Sequence, residues 1–154
     1  MNNVGRVISV NKNNWNVLFN NENIIATIRK KKNRDELPVV GDYVIINKDE
    51  YDNYTIEEIV NRKNTLKKLS VDRTTEKYKN GKEQILASNV DIVFIVTSLN
   101  NDFNIARLER LVLLGNKANS KIAFILTKSD LCSVKDRENY KKIIEDRFNY
   151  PVFI

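Results

Sequence analysis

The tetrapeptide Thr127-Lys128-Ser129-Asp130 combines residue types that could recognise a guanine base. A carboxylate such as that of Asp130 can accept two hydrogen bonds, one from the N1–H and one from the exocyclic amine of guanine. Adenine presents a different edge, which would leave this carboxylate badly paired. The stem of Lys128 could lie along the face of the base while its ammonium group stays hydrated. The tetrapeptide alone is a weak motif, because Ser-Asp followed by Leu131 also suits an ordinary loop into a helix.

The residues before the tetrapeptide place it at the end of a strand. The apolar run from Ile122 to Leu126 is typical of a β-strand that is buried on both faces. The polar tetrapeptide would then follow the carboxyl end of this strand, where open α/β sheets bind their ligands. A second apolar run, from Ile92 to Val96, predicts another buried strand earlier in the chain.

Two helices and a third strand are predicted around these runs. Apolar residues between Ile105 and Gly115 follow the helical period, and Asn104 is a plausible N-cap. A second helix is predicted after Ser133-Val134-Lys135-Asp136, which resembles a variant of the capping box. Residues from Pro151 to Ile154 begin a third strand. The order β-α-β-α-β predicts a parallel sheet with right-handed crossovers.

No phosphate-binding loop precedes the tetrapeptide. The pattern G-x-x-x-x-G-K-[ST] needs two glycines five positions apart, and Gly5, Gly41, Gly81 and Gly115 do not meet this requirement. A guanine loop without an upstream phosphate loop suggests a permuted order of elements, in which the phosphate loop follows later. The chain ends at Ile154 on a predicted strand, so we expect a truncated chain or a cleaved fragment that carries no catalytic residues of its own.

The first sixty or so residues predict a small closed barrel. Asn-rich turn clusters at residues 11–14 and 20–23 separate segments that are rich in β-branched and aromatic residues. Five short strands of this kind are typical of an OB-type barrel, with an SH3-like barrel as the main structural alternative. We interpret Trp15 as a core residue. The predicted strands are Val4 to Val10, Trp15 to Phe19, Ile24 to Arg29, Tyr43 to Asn47 and Tyr54 to Val60.

The composition changes after the predicted barrel. Residues 69–84 are polar and charged and have almost no apolar periodicity, which predicts a linker or a mobile loop. We therefore divide the chain into an OB-type barrel at residues 1–68, this linker, and a partial α/β domain at residues 85–154. The fold class is a five-stranded barrel followed by the first half of a parallel-sheet nucleotide-binding domain.

The positive net charge of +6 permits RNA binding through release of counterions from phosphates, and it is equally compatible with a role in solubility. A basic run follows the third predicted strand and could contact a phosphate backbone. The alternative is a solvated loop whose charge is partly offset by Asp35 and Glu36. The candidate RNA-binding residues are Lys30, Lys31, Lys32 and Arg34 of this run, with Arg62, Lys63, Lys67 and Lys68 at the edge of the barrel domain.

Several kinds of site are excluded by composition. The chain has no His and a single Cys, so it can have neither His-dependent catalysis, nor an internal disulfide, nor a Cys/His zinc site of its own. No run approaches the ~18 apolar residues of a membrane span, and the N-terminus lacks the features of a signal peptide. We therefore expect a cytoplasmic, monomeric protein with no membrane partner and no metal site in this chain.

Five segments together resemble the circularly permuted GTPases that depend on the small ribosomal subunit, the RsgA/YjeQ family. Thr127 to Leu131 is similar to the N-K-x-D-L loop of that family, with Thr in place of Asn. Ala87 to Asp91 matches its A-x-N-[VI]-D pattern at the start of the GTPase domain. Asp102 to Leu111 resembles its first GTPase helix, while Pro38 to Val44 and Arg62 to Leu66 resemble its OB domain and post-barrel segment. The resemblance covers essentially the whole chain.

The resemblance implies a parent protein that hydrolyses GTP in late maturation of the small ribosomal subunit. It implies GTP or GDP with Mg²⁺ as ligands, guanine contacts from Thr127, Lys128, Ser129 and Asp130, and the small subunit with its rRNA as partners. Members of the family continue into a phosphate loop, switch segments and a C-terminal zinc domain. Because the sequence contains none of these, we expect this chain alone to hydrolyse no GTP and to bind no cofactor tightly.

The alternative function is a stand-alone RNA-binding barrel that carries an α/β interaction module and no enzyme activity. A reading frame that continues past Ile154 into a phosphate loop would favour the GTPase, and a natural stop codon there would favour the alternative. The Thr at position 127 replaces the usual Asn, and its hydroxyl can take over only part of the hydrogen bonding of that amide.

Overall fold

The computed structural model describes residues 3–28, 37–70, 82–99 and 103–154. The chain forms two compact units, Met1–Val90 and Asp91–Ile154. The first unit contains a closed five-stranded barrel and a two-stranded antiparallel sheet, and the second contains a three-stranded sheet with helices. The predicted fold class, a barrel followed by a parallel α/β sheet, is confirmed. No helix in the described ranges is long and apolar enough to cross a membrane.

The barrel strands follow one another in the order β1-β2-β3-β5-β4 around the closed sheet. The neighbouring pairs are antiparallel except β3 and β5, which run parallel where the barrel closes. This five-stranded barrel is of the OB type, as predicted. Its strands are β1 at Val4–Val10, β2 at Trp15–Phe19, β3 at Glu22–Thr27, β4 at Tyr43–Lys48 and β5 at Tyr54–Ile59.

Alternating residues of these strands fill the barrel core. The interior is lined by buried aliphatic side chains and by Trp15, whose indole Nε1 donates a hydrogen bond of 2.9 Å to the carbonyl of Pro38. This bond satisfies the one polar atom of a large buried side chain. The interpretation of Trp15 as a core residue is confirmed.

The next two strands, β6 at Thr65–Ser70 and β7 at Lys82–Ser88, pair in an antiparallel sheet. They overlap both ends of the segment that we predict as a linker, and residues 71–81 lie outside the described residues. The side chains of Lys67, Lys68, Glu83 and Gln84 are exposed, so these parts of the two strands lack the apolar alternation that sequence patterns detect.

The second unit has the predicted β-α-β-α-β order. Strands β8 at Ile92–Ser98, β9 at Lys121–Thr127 and β10 at Val152–Phe153 form a parallel sheet in the order β10-β9-β8. Helix α1 spans Ile105–Lys117 and helix α2 spans Val134–Phe148. Buried side chains of both helices pack on β8 and β9 around Phe124, which is fully buried.

Both predicted helix starts are confirmed by their caps. The side chain of Asn104 accepts a 3.0 Å hydrogen bond from the backbone N–H of Arg107. The hydroxyl of Ser133 accepts a 3.2 Å bond from the N–H of Asp136 and donates a 2.6 Å bond to its carboxylate. The bonds from the N–H groups of Arg107 and Asp136 satisfy backbone donors that the first turn of a helix leaves without partners.

Candidate functional site

The tetrapeptide 127–130 is fixed to the end of the neighbouring strand. The hydroxyl of Thr127 donates a 3.3 Å hydrogen bond to the carbonyl of Thr97, near the end of β8. In the opposite direction, the N–H of Leu99 donates a 3.0 Å bond to the carbonyl of Thr127. The two bonds hold the start of the loop at the carboxyl edge of the parallel sheet, which is the edge where such sheets bind ligands.

The rest of the loop is a tight turn. Lys128 has a left-handed backbone with φ of 57°, and residues Ser129–Leu131 form a single 3₁₀ turn. The N–H of Leu131 donates to the carbonyl of Lys128 at 3.1 Å, and the Sγ of Cys132 contacts the carbonyl of Ser129 at 3.6 Å. Cys132 also packs against the apolar core, so it anchors the far end of the turn.

This turn exposes the two side chains that would contact a base. Lys128 and Asp130 are exposed, while Thr127 and Ser129 are partly buried. Within the described ranges, the carboxylate of Asp130 makes no hydrogen bond or ion pair. An exposed carboxylate on a fixed backbone is available to accept two hydrogen bonds from a ligand. The geometry therefore fits the base contacts that the sequence predicts for these residues.

Thr97 is a residue of this edge that the sequence pattern does not single out. Its side chain is buried, and its Oγ1 has no hydrogen-bond partner in the part of the chain that the structure describes. Its carbonyl accepts the bond that fixes Thr127. A backbone acceptor on a neighbouring strand leaves no sequence signal, because any residue could supply it.

The candidate RNA-binding residues have different surroundings. Lys30, Lys31, Lys32 and Arg34 lie outside the described residues. Lys63 and Lys68 have exposed side chains, and the Nζ of Lys67 forms an exposed ion pair of 3.0 Å with Glu83. The structure therefore brings Lys67 together with an acidic residue of the next strand.

Arg62 forms an ion pair with a buried residue of the barrel unit. Its Nε and Nη2 donate hydrogen bonds of 2.7 Å each to the two carboxylate oxygens of Asp42. The Arg62 side chain is 19% exposed, whereas that of Asp42 is fully buried. A fork-like pair of this kind fixes the orientation of the guanidinium against the carboxylate.

Asp42 collects two further hydrogen bonds. The hydroxyl of Ser88 donates to it at 2.5 Å and the N–H of Val39 at 2.8 Å. Burial by itself raises the pKa of Asp42, but the hydrogen bonds from Arg62, Ser88 and Val39 outweigh it and hold the pKa below its usual value. The hydrogen bond to Asp42 in turn raises the pKa of Arg62. We call these four residues the Asp42 network.

Backbone contacts reinforce the same region. The N–H of Ser88 donates to the carbonyl of Val40 at 2.9 Å, and the amide of Asn89 donates to the carbonyl of Gly41 at 3.0 Å. Gly41 has φ of 91°, and a Cβ there would lie 2.1 Å from the carbonyl oxygen of Ser88. Glycine is therefore required at this close approach. The motif segments around residues 40, 62 and 88 meet at one place, which their spacing in the sequence does not reveal.

Comparison with known proteins gives a consistent set of similarities. The family model described as RsgA GTPase matches residues 59–154. The chain is 32% identical over 145 residues to the small ribosomal subunit biogenesis GTPase RsgA 1 of Listeria monocytogenes, with 92% of this chain and 38% of the relative covered. It is 36% identical over 132 residues to RsgA of Syntrophotalea carbinolica, with 85% and 36% covered. The chain thus spans less than two fifths of the length of these relatives.

Two solved structures resemble the chain in fold. The crystal structure of YjeQ from Thermotoga maritima matches with a TM-score of 0.68 at 22% identity, and 97% of this chain and 50% of the solved chain are covered. YloQ, whose structure is described as that of a circularly permuted GTPase, matches with a TM-score of 0.65 at 23% identity and the same coverage. The barrel and the parallel sheet of this chain therefore have the fold of corresponding portions of these proteins.

Proposed function

The chain belongs to the RsgA GTPase family, whose model covers more than half of its residues, and from this membership we propose that its parent protein is a GTP-hydrolysing factor in maturation of the small ribosomal subunit. The names of the relatives support this proposal, since they are small ribosomal subunit biogenesis GTPases. We further propose the cytoplasm as its location, and a monomer as its state. The zinc domain implied by the family resemblance would belong to the rest of the parent protein.

The observation that carries the nucleotide part of this proposal is the exposed carboxylate of Asp130 at the carboxyl edge of the parallel sheet. It would accept hydrogen bonds from the N1–H and the exocyclic amine of guanine. The stem of Lys128 would cover one face of the base, and the bond from Thr127 to Thr97 would keep the loop in place. Ser129 would contribute through the backbone of the 3₁₀ turn.

Hydrolysis would depend on groups outside this chain. Phosphoryl transfer requires a cradle for the phosphates, a lysine on the β- and γ-phosphates and a bound Mg²⁺. The residues of this chain would bind and orient the base, whereas GTP, or GDP after hydrolysis, and Mg²⁺ would be held chiefly by the rest of the parent. We therefore expect this chain by itself to be inactive and to hold nucleotide weakly.

The ribosomal part of the proposal assigns the barrel unit to rRNA of the small subunit. The sequence run Lys30, Lys31, Lys32 and Arg34 and the exposed side chains of Lys63 and Lys68 would contact phosphates. Lys67 would do so after leaving its exposed partner Glu83, which costs little because such pairs contribute about 0–1 kcal/mol. Arg62 would instead stabilise the barrel unit, since its guanidinium is paired with the buried Asp42.

A phosphate-release assay on the full-length parent, with and without purified small subunits, tests the proposal. We expect GTP hydrolysis that small subunits accelerate, and no hydrolysis by residues 1–154 alone under either condition. Full-length protein that hydrolyses ATP as readily as GTP, or that does not respond to small subunits, would contradict the proposed function.

A further inference from the structure

Two asparagines hold the last residues of the first unit. The side chain of Asn64 accepts a 2.7 Å hydrogen bond from the N–H of Val90 and donates a 2.7 Å bond to the carbonyl of the same residue. In return, the side chain of Asn89 accepts a 2.8 Å bond from the N–H of Lys63, and its own N–H donates a 3.0 Å bond to the carbonyl of Asn64. We call these four bonds the Asn64–Asn89 clamp.

The clamp continues the pairing of β6 with β7 beyond the ends of these strands. Thr65 lies opposite Ser88 at the end of the ladder, and Asn64 and Asn89 are the next residues outward. A carboxamide carries a donor and an acceptor in one plane, so the side chain of Asn64 can bind a strand as a peptide group does. Asn89 has a left-handed backbone with φ of 52°, a conformation that asparagine tolerates better than most residues. The clamp therefore fixes the backbone at the point where the chain leaves the first unit.

The second unit holds the next residue. The two units divide between Val90 and Asp91, and the carbonyl of Asp91 accepts a 2.9 Å bond from the N–H of Lys121 at the start of β9. The peptide group after Val90 is thus bound within the first unit through its carbonyl, and the peptide group after Asp91 is bound within the second. Because peptide groups are planar, only the φ and ψ angles of Asp91 separate these two groups.

This connection differs from a flexible linker. A linker of many unpaired residues behaves as a random coil and lets two domains move independently. A single residue between two bound peptide groups leaves only its own two torsion angles to change. Hydrogen-bond networks and rigid elements of this kind can carry energetic coupling between distant sites. A rearrangement of the first unit can therefore affect the second directly, through the backbone of Asp91.

We propose that the Asn64–Asn89 clamp couples binding of the small ribosomal subunit at the barrel unit to GTP hydrolysis in the parent protein, with Asp91 as the hinge residue. Asn64 and Asn89 are positioning residues, which act through the backbone and not on the nucleotide. The inference rests on the proposed function, in which small subunits accelerate hydrolysis. It gives a role to two sequence motifs, at residues 62–66 and 87–91, that take no part in base recognition.

GTP hydrolysis by the full-length parent, measured with and without saturating small subunits, tests the proposal. Asn64→Ala removes both side-chain bonds to Val90 and should reduce the acceleration by small subunits about fivefold or more, since coupling between sites typically amounts to about 5- to 150-fold. The rate without small subunits should stay unchanged. Asn53→Ala is the matched control, because the side chain of Asn53 also donates two hydrogen bonds, both to Asp49 in an exposed turn, and it should keep the full acceleration.

A second pair of variants loosens the hinge without removing a bond of the clamp. Asp91→Gly admits backbone conformations that other residues avoid, and it should reduce the acceleration as Asn64→Ala does. Asp91→Ala removes the same carboxylate but keeps a Cβ, and it should retain the acceleration. Amide hydrogen exchange gives a direct readout of the clamp. In Asn64→Ala the N–H of Val90 should exchange faster, while unchanged exchange in the barrel strands shows that the barrel stays folded.

An acceleration retained in full by Asn64→Ala or by Asp91→Gly would overturn the inference. A basal rate that falls in the same proportion as the accelerated rate would overturn it too, because the clamp would then have only a structural role. An equal loss in Asp91→Gly and Asp91→Ala would trace the effect to the carboxylate, with the same consequence. If Asn64→Ala does not fold, the two Asp91 variants decide. The proposed function itself fails only if small subunits do not accelerate the unsubstituted parent, so the two failures are distinguishable.

Discussion

Arg62 and Asp42, twenty positions apart, form a two-point ion pair in which both carboxylate oxygens accept hydrogen bonds of 2.7 Å from one guanidinium. The carboxylate is fully buried, and its two remaining bonds come from Ser88 and Val39. The pair therefore joins the start of β4 and the residues after β5, and through Ser88 it reaches the end of β7. Composition alone classes Arg62 with the surface lysines, but its partner gives it a structural role.

Arg62→Ala should destabilise the barrel unit by about 3 kcal/mol, because it leaves a buried carboxylate without its cation. Urea denaturation followed by the emission of Trp15 measures this change, since Trp15 lies in the barrel core. Lys68→Ala is the control, because Lys68 is exposed, and it should change stability by less than about 0.5 kcal/mol. If Arg62→Ala lowers the free energy of unfolding no more than the control does, the ion pair contributes nothing to the stability of the folded state.

The lowered pKa of Asp42 predicts a specific response of the barrel to acid. The unfolded carboxyl has a pKa near 3.8, and the folded one lies below it. Because the folded state binds the proton less readily, the stabilisation is fully present above the unfolded pKa and is lost as pH falls through the folded pKa. The stability of the barrel should therefore fall below about pH 4.

A variant that lacks this carboxylate should respond less to acid. Asp42→Asn should be less stable near neutral pH, and its stability should fall less steeply below pH 4. Glu58→Gln, which removes an exposed carboxyl, should keep the steep fall. Urea denaturation at a series of pH values measures the three curves, and identical slopes for Asp42→Asn and the unsubstituted chain would contradict the assignment.

The parts of the fold that could be predicted are those with a local signal. Continuous apolar runs predict β8 and β9, and caps such as Asn104 mark the helix starts. The start of β3 differs from the prediction because Asn20 and Asn21, both with positive φ, form a two-residue turn that brings polar Glu22 into the strand. Apolar patterns alone place that start at Ile24, two residues too late.

The contacts that could not be predicted are those between distant segments. No pattern links Asp42 to Arg62 or Ser88, because a charged side chain looks the same in sequence whether its partner is water or a buried carboxylate. The loop 127–130 could be located because its residue types and its strand are contiguous. The hydrogen bond that fixes this loop to the carbonyl of Thr97 could not be predicted, since it depends on the pairing of β8 with β9.

The bond between Thr127 and Thr97 predicts how the loop tolerates substitution. In the full-length parent, Thr127→Val removes the hydroxyl at nearly constant volume and should weaken guanine nucleotide binding about three- to tenfold, as expected for one hydrogen bond. Thr127→Ser, which keeps the hydroxyl, should retain most of the affinity. Equilibrium titration with a fluorescent GDP analogue measures both variants. Equal affinities for Thr127→Val and the unsubstituted protein would mean that other contacts fix the loop.

Asp130 should determine which base the parent protein binds. Asp130→Asn places an amide donor opposite a donor of guanine, so affinity for GTP should fall about ten- to a hundredfold, corresponding to about 1–3 kcal/mol. The same amide suits xanthine, which has a carbonyl where guanine has the amine, so affinity for xanthosine triphosphate should rise. Competition titrations of the two nucleotides against both proteins measure this exchange. Because Asp130 is exposed and has no partner in the described ranges, the substitution should leave the thermal midpoint unchanged, which separates lost recognition from lost structure. A variant that keeps the original preference for GTP would show that 127–130 is an ordinary loop between β9 and α2.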